Sequence, residues 1–177
     1  MLLAERIKSL IREVPDFPRQ GIAFKDLTPV LAYPQVSDEI VQAIASHFKD
    51  QQIDAVAAIE ARGFLFGFLL AQQLKVPFVP VRKEGKLPFK KINQKYNLEY
   101  GTAAMEMHAD ALMPGGRVLI HDDLLATGGT AGAAALLVEA LGGVVAGFSF
   151  IINLSSLKGE KNLKERFACD THYLIQY

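Results

Sequence analysis

Residues Val118 to Thr130 place two kinds of chemistry next to each other. An apolar stretch, Val118-Leu119-Ile120-His121, ends on Asp122 and Asp123 and passes through Leu124 and Leu125 into the small turn Ala126-Thr127-Gly128-Gly129-Thr130. Carboxylates at the carboxyl end of a buried strand lie where open α/β sheets hold their ligands, and they can receive sugar hydroxyls or a metal. A turn without bulky side chains at a helix start exposes several backbone N–H groups. With the helix dipole and two threonine hydroxyls, these suit a phosphate. Together the two halves describe a pocket for a sugar phosphate.

Positive charge is available for a second, more highly charged anion. Arg62 follows an apolar run and is flanked by Ala61 and Gly63, and its planar fork of donors matches a diphosphate. A surface salt bridge to Glu60 is the competing use of that side chain. Arg82, Lys83 and Lys86 extend the positive field, whereas Lys90, Lys91 and Lys95 read as a solvated basic face. Other phosphate signatures fail: no G-x-G-x-x-G follows a strand, and Gly85-Lys86 lacks the rest of a Walker loop. His47, His108 and His172 have no spacing that suggests a metal site, and His121 reads as a strand histidine, partly exposed or internally bonded.

The elements that must position these groups follow from periodicity. Leu3, Ile7, Leu10, Ile11 and Val14 repeat at helical spacing and predict an amphipathic helix ending before Pro15; Ser37 or Asp38 is expected to cap a second helix. Ile53–Ile59 is apolar except for Asp54, as expected of a strand covered on both faces. Glu60–Gly63 breaks it, and a helix over Phe64–Leu74 follows. Val76–Val81 predicts a strand whose place in the ladder is complicated by Pro77 and Pro80. Arg82–Lys95, with six basic residues and one acid, reads as a mobile loop, and Leu98–Met107 as a partial β-ribbon. A strand over Arg117–His121, a helix over Thr130–Leu141, a buried strand over Val144–Ile152 and an edge strand over Tyr173–Tyr177 complete a strand-helix alternation. That order implies an α/β fold with a mostly parallel central sheet flanked by helices.

Composition narrows the function further. The chain has 177 residues with 19 basic and 19 acidic side chains, enough for one domain over 1–177 and without the charge expected of a general nucleic-acid or membrane surface. Mean hydropathy is +0.18, yet the most hydrophobic run, Phe64–Ala71, is too short to cross a bilayer. Cys169 is the single cysteine, which suits a reducing compartment, and Glu5, Arg6 and Lys8 interrupt any signal-like apolar run. A cytoplasmic protein is expected.

The strand, acidic pair and Thr/Gly-rich loop resemble the signature of the type I phosphoribosyltransferases. The resemblance continues through Pro15-Asp-Phe-Pro18, Phe24-Lys-Asp-Leu-Thr-Pro-Val30, Glu60-Ala-Arg-Gly-Phe-Leu-Phe-Gly67, Arg82-Lys-Glu-Gly-Lys-Leu-Pro88 and Leu98-Glu-Tyr-Gly101, segments typical of the branch of that family whose acceptor is adenine. It implies transfer of a 5-phosphoribosyl group from 5-phosphoribosyl-1-diphosphate to adenine, giving AMP and diphosphate, in a homodimer. Ala126, Thr127, Gly128, Gly129 and Thr130 would hold the 5-phosphate, and Asp122 and Asp123 the ribose hydroxyls. If Asp122 stays in regular strand geometry, only Asp123 is expected to point into the site. Arg62, Arg82, Lys83 and Lys86 would meet diphosphate, with Mg²⁺ carried mainly by substrate oxygens. Glu99 and Tyr100 would act from a lid within a flexible loop at about 82–107, Glu99 as a proton partner.

For the base, the resemblance implies a hood built mainly from residues 1–35. Ala23, Phe24 and Lys25 would face the purine, with Leu124 on its opposite side, although Phe24 also suits a core aromatic. Ala23 and Lys25 depart from the family's common larger aliphatic and Arg, and His121 from its usual Val or Ile. A phosphoribosyltransferase for xanthine or hypoxanthine is the nearest alternative, followed by a non-catalytic sensor of phosphoribosyl diphosphate; Arg62 and Glu99 favour an enzyme.

Overall fold

Apolar residues at helical spacing open the chain as α1 (Leu3–Leu10), but the helix stops short of Ile11 and Val14 because the next residues enter a ladder instead. Strand β1 (Arg12–Val14) pairs antiparallel with β2 (Phe24–Asp26), and a short 3-10 turn over Thr28–Ala32 leads into α2 (Pro34–Phe48). That helix starts before the expected Ser37 or Asp38 cap. Proline needs no N–H partner in a first turn, and Ser37 is buried with its N–H on the Tyr33 carbonyl. The computed structural model describes residues 1–97 and 102–177.

The remaining chain builds β3 (Ala55–Ile59), α3 (Gly63–Leu74), β4 (Phe78–Lys83), β5 (Lys91–Asn97), β6 (Thr102–His108), β7 (Arg117–Leu125), α4 (Gly129–Ala140), β8 (Val144–Asn153), α5 (Gly159–Lys164) and β9 (Asp170–Gln176). Seven strands form one sheet in the order β5-β6-β4-β3-β7-β8-β9. β4, β3, β7, β8 and β9 are mutually parallel, and β6 and β5 add an antiparallel flank. All five residues of β3 are buried, as a strand covered on both faces requires. One face carries α1, α2 and α3 around Ile40, Ile44, Phe66 and Leu70; the other carries α4 and α5 around Ala134, Leu137, Phe148 and Phe167.

Two expectations change here. Pro80 lies inside the sheet, beside Ala58 of β3. The N–H groups of Val56 and Glu60 reach the Pro77 and Val81 carbonyls, so the odd-numbered residues of β4 face β3. Pro80 therefore turns its missing donor to the other side, where β6 pairs only with Arg82 and Lys83. Much of the expected loop at 82–107 is strand. Lys91, Asn93 and Lys95 are exposed while Ile92, Gln94 and Tyr96 are partly buried, so the segment is a two-faced strand. Lys95 lies on its outer face, whereas Lys91, expected in a solvated basic face, pairs with the buried Glu106 at 3.0 Å and donates to the Leu87 carbonyl.

Helix α3 lies unusually close to the sheet. A Cβ at Gly67 would collide with the Cβ of Ala58, and one at Gly63 would come within 2.8 Å of Asp122 Oδ1 and 3.1 Å of its Cα. Alanine at position 67 gains helix propensity but must push the helix off β3, an overpacking cost of about 1–3 kcal/mol that outweighs the gain. Gly67→Ala is expected to lower the urea midpoint without changing the slope of the unfolding transition; an unchanged or raised midpoint would show that the helix moves freely over the sheet.

Candidate active site

The carboxyl ends of β3 and β7 are neighbours in the sheet, and each feeds a helix whose first turn faces the same end of the molecule. β3 delivers Glu60, Ala61 and Arg62 to the start of α3, while β7 delivers Asp122 and Asp123 to the loop that starts α4. The sequence-based reading ended this strand at His121. Pairing with β8 instead extends it to Leu125, opposite Asn153, so both aspartates lie inside regular strand.

Their surroundings then differ sharply. Asp123 is 4% exposed and its Oδ2 accepts from Arg62 Nε at 2.6 Å. Asp122 is partly exposed, and its Oδ1 accepts the backbone N–H of Asp123 at 2.9 Å. Regular strand geometry is expected to aim Asp123 alone into the site; of the two residues Asp122 is the more exposed, and Asp123 is the one paired with Arg62. Burial, and then the adjacent Asp123 charge, push the Asp122 carboxyl well above the usual carboxylate range, with Arg62 only partly opposing them. A positive charge arriving beside Asp122 would relieve that cost.

Arg62 does not pair with Glu60. Glu60 accepts from Arg82 Nε at 2.6 Å, and Arg82 also donates to the Lys86 carbonyl at 2.9 Å. Arg82 therefore pins the turn after β4, while Lys83 and Lys86 are exposed and have no ion pair among the described residues. The guanidinium of Arg62 lies over the ring of Phe24, 5.1 Å from its centre, and Phe17 meets Phe24 edge-on at 5.2 Å. The hood is thereby joined to the strand end. Lys25 is sent elsewhere: it pairs with Glu13 across the β1–β2 ladder and lies over the Tyr177 ring at 4.3 Å. Alternation along β2 puts it on the opposite face from Phe24. Ala23 is exposed, and Leu124 packs partly buried against the α1–α3 side of the sheet.

The loop from Ala126 to Thr130 is shaped by what packs behind it. Gly128 has φ +84° and precedes the first residue of α4, a left-handed conformation that favours glycine. A Cβ there would also meet the Gly159 carbonyl at 3.1 Å. Gly159 in turn touches Ala126 so closely that any side chain would strike its carbonyl, and Asn162 donates from Nδ2 to the Thr127 carbonyl at 2.9 Å. Helix α5 thus braces the loop from behind, turning its carbonyls toward the protein. Neither Gly159 nor Asn162 carries a local signal that could have marked it, since the contact joins segments some thirty residues apart. Tyr96 of β5 was also missed; it lines the cavities on both sides of the loop, of about 170 and 320 Å³. Glu99 and Tyr100 lie outside the described residues.

His121 is fully buried rather than partly exposed, and the internally bonded alternative holds for one ring nitrogen: Nδ1 meets Ser149 Oγ at 2.8 Å while Nε2 has no partner among the described residues. The remaining histidines are far from these groups. His47 stacks on His172 at 3.8 Å and meets Asp170 at 2.5 Å, by the first residue of β9 at the opposite sheet end. Among the described residues no group of three or more His, Cys, Asp or Glu could hold a metal.

A buried strand that carries an acidic pair thus leads into a braced glycine loop at a helix start. The phosphoribosyl transferase domain matches residues 27–171, and the chain belongs to that family. The adenine phosphoribosyltransferase of Cytophaga hutchinsonii is 49% identical over 162 residues, covering 92% of this chain and 90% of that protein. The crystal structure of the adenine phosphoribosyltransferase from Thermoanaerobacter pseudethanolicus superposes with a TM-score of 0.94 at 49% identity, covering 99% of this chain and 100% of that one. The Saccharomyces cerevisiae adenine phosphoribosyltransferase, in complex with adenine and an imino-altritol bisphosphate, superposes with a TM-score of 0.91 at 37% identity, covering 98% of each chain.

Burial holds the His121 imidazole down to about 4 from its ordinary 6.5. Because the folded value lies below the unfolded one, the unfolded chain binds the extra proton between those two pH values. The neutral ring's contribution to stability is therefore fully present above pH 6.5 and is lost as pH falls toward 4, by roughly 3 kcal/mol at most. Urea unfolding of the parent and a His121→Val, Ser149→Ala variant over this range is expected to show a shallower acid loss in the variant. Parallel curves would show that other groups govern the acid limb.

Proposed function

We propose that this chain transfers a 5-phosphoribosyl group from 5-phosphoribosyl-1-diphosphate to N9 of adenine, forming AMP and diphosphate in purine salvage. The observation that carries the reading is the juxtaposition of the Asp122–Asp123 pair with the braced helix-start loop at one sheet end. The match to adenine phosphoribosyltransferases along nearly the whole chain supports it. Ala126–Thr130 would receive the 5-phosphate on backbone N–H groups and threonine hydroxyls. Asp122 and Asp123 would hold the ribose hydroxyls, and as C1 becomes cationic, the raised cost of the Asp122 charge would be released in the transition state. That is charge stabilisation gained at the moment of reaction.

Diphosphate departs with several negative charges. Arg62 uses Nε for Asp123 and would offer its terminal N–H groups to the leaving anion, while Lys83 and Lys86 have no ion pair among the described residues and Arg82 is tied to Glu60. Mg²⁺, bound to oxygens of the donor, would neutralise part of the diphosphate charge; the charge crowding at Asp122 suits a cation held by substrate rather than by a protein cage. Phe24 would stack on adenine, with Leu124 and Ala23 bounding the base. Lys25 would act on the hood through Glu13 and Tyr177. Glu99 would exchange the proton at N7 while N9 attacks, and Tyr100 would close the lid. The lone Cys169 suits a cytoplasmic enzyme.

A homodimer is part of the same reading. Leu65, Phe68 and Leu69 of α3 are each at least 40% exposed, beside exposed Leu31 and Tyr33. Such a contiguous apolar face on a small protein suits burial against a second copy. Sedimentation velocity is expected to show a dimer that Phe68→Asp converts to monomer; a monomeric parent protein would remove this part of the reading.

The reaction itself is tested by offering purified protein 5-phosphoribosyl-1-diphosphate, Mg²⁺ and each purine in turn. AMP from adenine is expected, with Glu99→Gln lowering turnover at least a hundred-fold while adenine binding changes little. Product from hypoxanthine or xanthine and none from adenine would overturn the acceptor assignment.

A further inference from the structure

Tyr96 occupies a position that the motifs do not account for. The two cavities beside the phosphate loop share four lining residues: Thr127, Gly128, Gly129 and Tyr96. Three belong to the loop, so Tyr96 is the one shared wall that comes from another element. Strand β5 can bring it there because α4 begins with Gly129, Thr130, Ala131, Gly132 and Ala133, leaving room for a large ring to lie near the helix start. Tyr96 stands opposite Ala103 in the β5–β6 ladder, and alternation along β5 turns it to the same face as Ile92, where both pack against the α4 core.

The ring is thus anchored in apolar surroundings while its phenol remains beside the loop, within electrostatic reach of Asp122. No hydrogen-bond partner of that phenol is found among the described residues, so its donor is available. Burial, and then the Asp122 charge, raise the phenol above its ordinary range. It therefore stays protonated and never presents an anion to a phosphate. The loop offers its N–H groups from the side opposite α5, which leaves part of a monoester phosphate uncovered. A protonated donor on a fixed ring is suited to that remaining side.

We propose that Tyr96 is a substrate-contacting residue of the phosphate cradle, its O–H donating to the 5-phosphate of a pentose phosphate while its ring separates the two cavities. The proposal deepens the phosphoribosyl-transfer reading and rests on the same loop. It assigns Tyr96 to recognition of the phosphorylated end of the sugar, distinct from the base and from diphosphate.

Tyr96→Phe keeps the ring and removes only the donor. Loss of one hydrogen bond to a charged oxygen is expected to raise the KM for 5-phosphoribosyl-1-diphosphate, and the Kd for ribose 5-phosphate measured by calorimetry, about ten-fold each. The KM for adenine and kcat should stay within about two-fold. If Tyr96→Phe matches the parent in both donor measurements while Tyr96→Ala loses affinity, the ring is only a wall and the proposal is overturned. Parent protein that binds ribose 5-phosphate but makes no AMP refutes the adenine reading and leaves calorimetry to decide Tyr96. Parent protein that makes AMP, with Tyr96→Phe indistinguishable from it, refutes Tyr96 alone.

Discussion

The site depends first on the ion pair between Arg62 and Asp123. Asp123 sits within a strand buried on both sides, where an unpaired carboxylate would be costly. Arg62 reaches it from the first turn of α3 at 2.6 Å, with Phe24 of the hood stacked on the same guanidinium. Three segments remote in sequence therefore meet on one charge. Arg62 is 39% exposed along its side chain, so the pair is screened on one side and its main consequence is geometric. It ties one oxygen of Asp123 to Arg62, leaves Asp122 without an ion pair among the described residues, and fixes Arg62 between the strand end and the hood.

That pair is possible only because helix and strand approach closely. Gly63 stands over Asp122 and Gly67 over Ala58 with no room for a side chain, so the apolar sequence of α3 alone does not explain its position. A similar logic governs the glycine loop at the start of α4. Gly128 supplies a left-handed turn, Gly159 lets α5 touch the loop backbone, and Asn162 takes up the Thr127 carbonyl. With carbonyls occupied from behind, the N–H groups at the start of α4 are left for an anion. Catalysis by placed charge needs this rigidity, because donors that reorganise during the reaction lose much of their effect.

Charge compensation at the site is deliberately incomplete. Arg82 is neutralised by Glu60 and Arg62 by Asp123, whereas ionisation of Asp122 is opposed by burial and by the Asp123 charge, and Lys83 and Lys86 have no ion pair among the described residues. An anionic substrate that also develops cationic character at its sugar complements both imbalances. The buried His121 belongs to a different account. Its bond to Ser149 joins β7 to β8 directly behind Asp122, and its neutral form keeps a third charge away from the acidic pair.

The alternation of apolar strands and helices, the acidic pair and the Thr/Gly loop were legible in the amino-acid sequence because each depends on local periodicity or on backbone freedom at particular residues. Periodicity did not locate strand ends or loop order: β7 runs past His121 because β8 pairs with it, and residues 91–97 form a strand because β6 does. Composition suggested a loop there, since lysines on the outer face of a strand look the same as lysines in solvent. Residue types and their order were enough to show which groups are available: two carboxylates, a glycine loop and an excess of local cations. Their pairing came from the fold: Arg62 takes Asp123 and Arg82 takes Glu60, Lys25 turns away from Phe24, and Tyr96 and Asn162 lie beside the glycine loop. Ion pairs and close packing are set by distances between segments far apart in the chain, and those distances exist only once the sheet has brought the strand ends together.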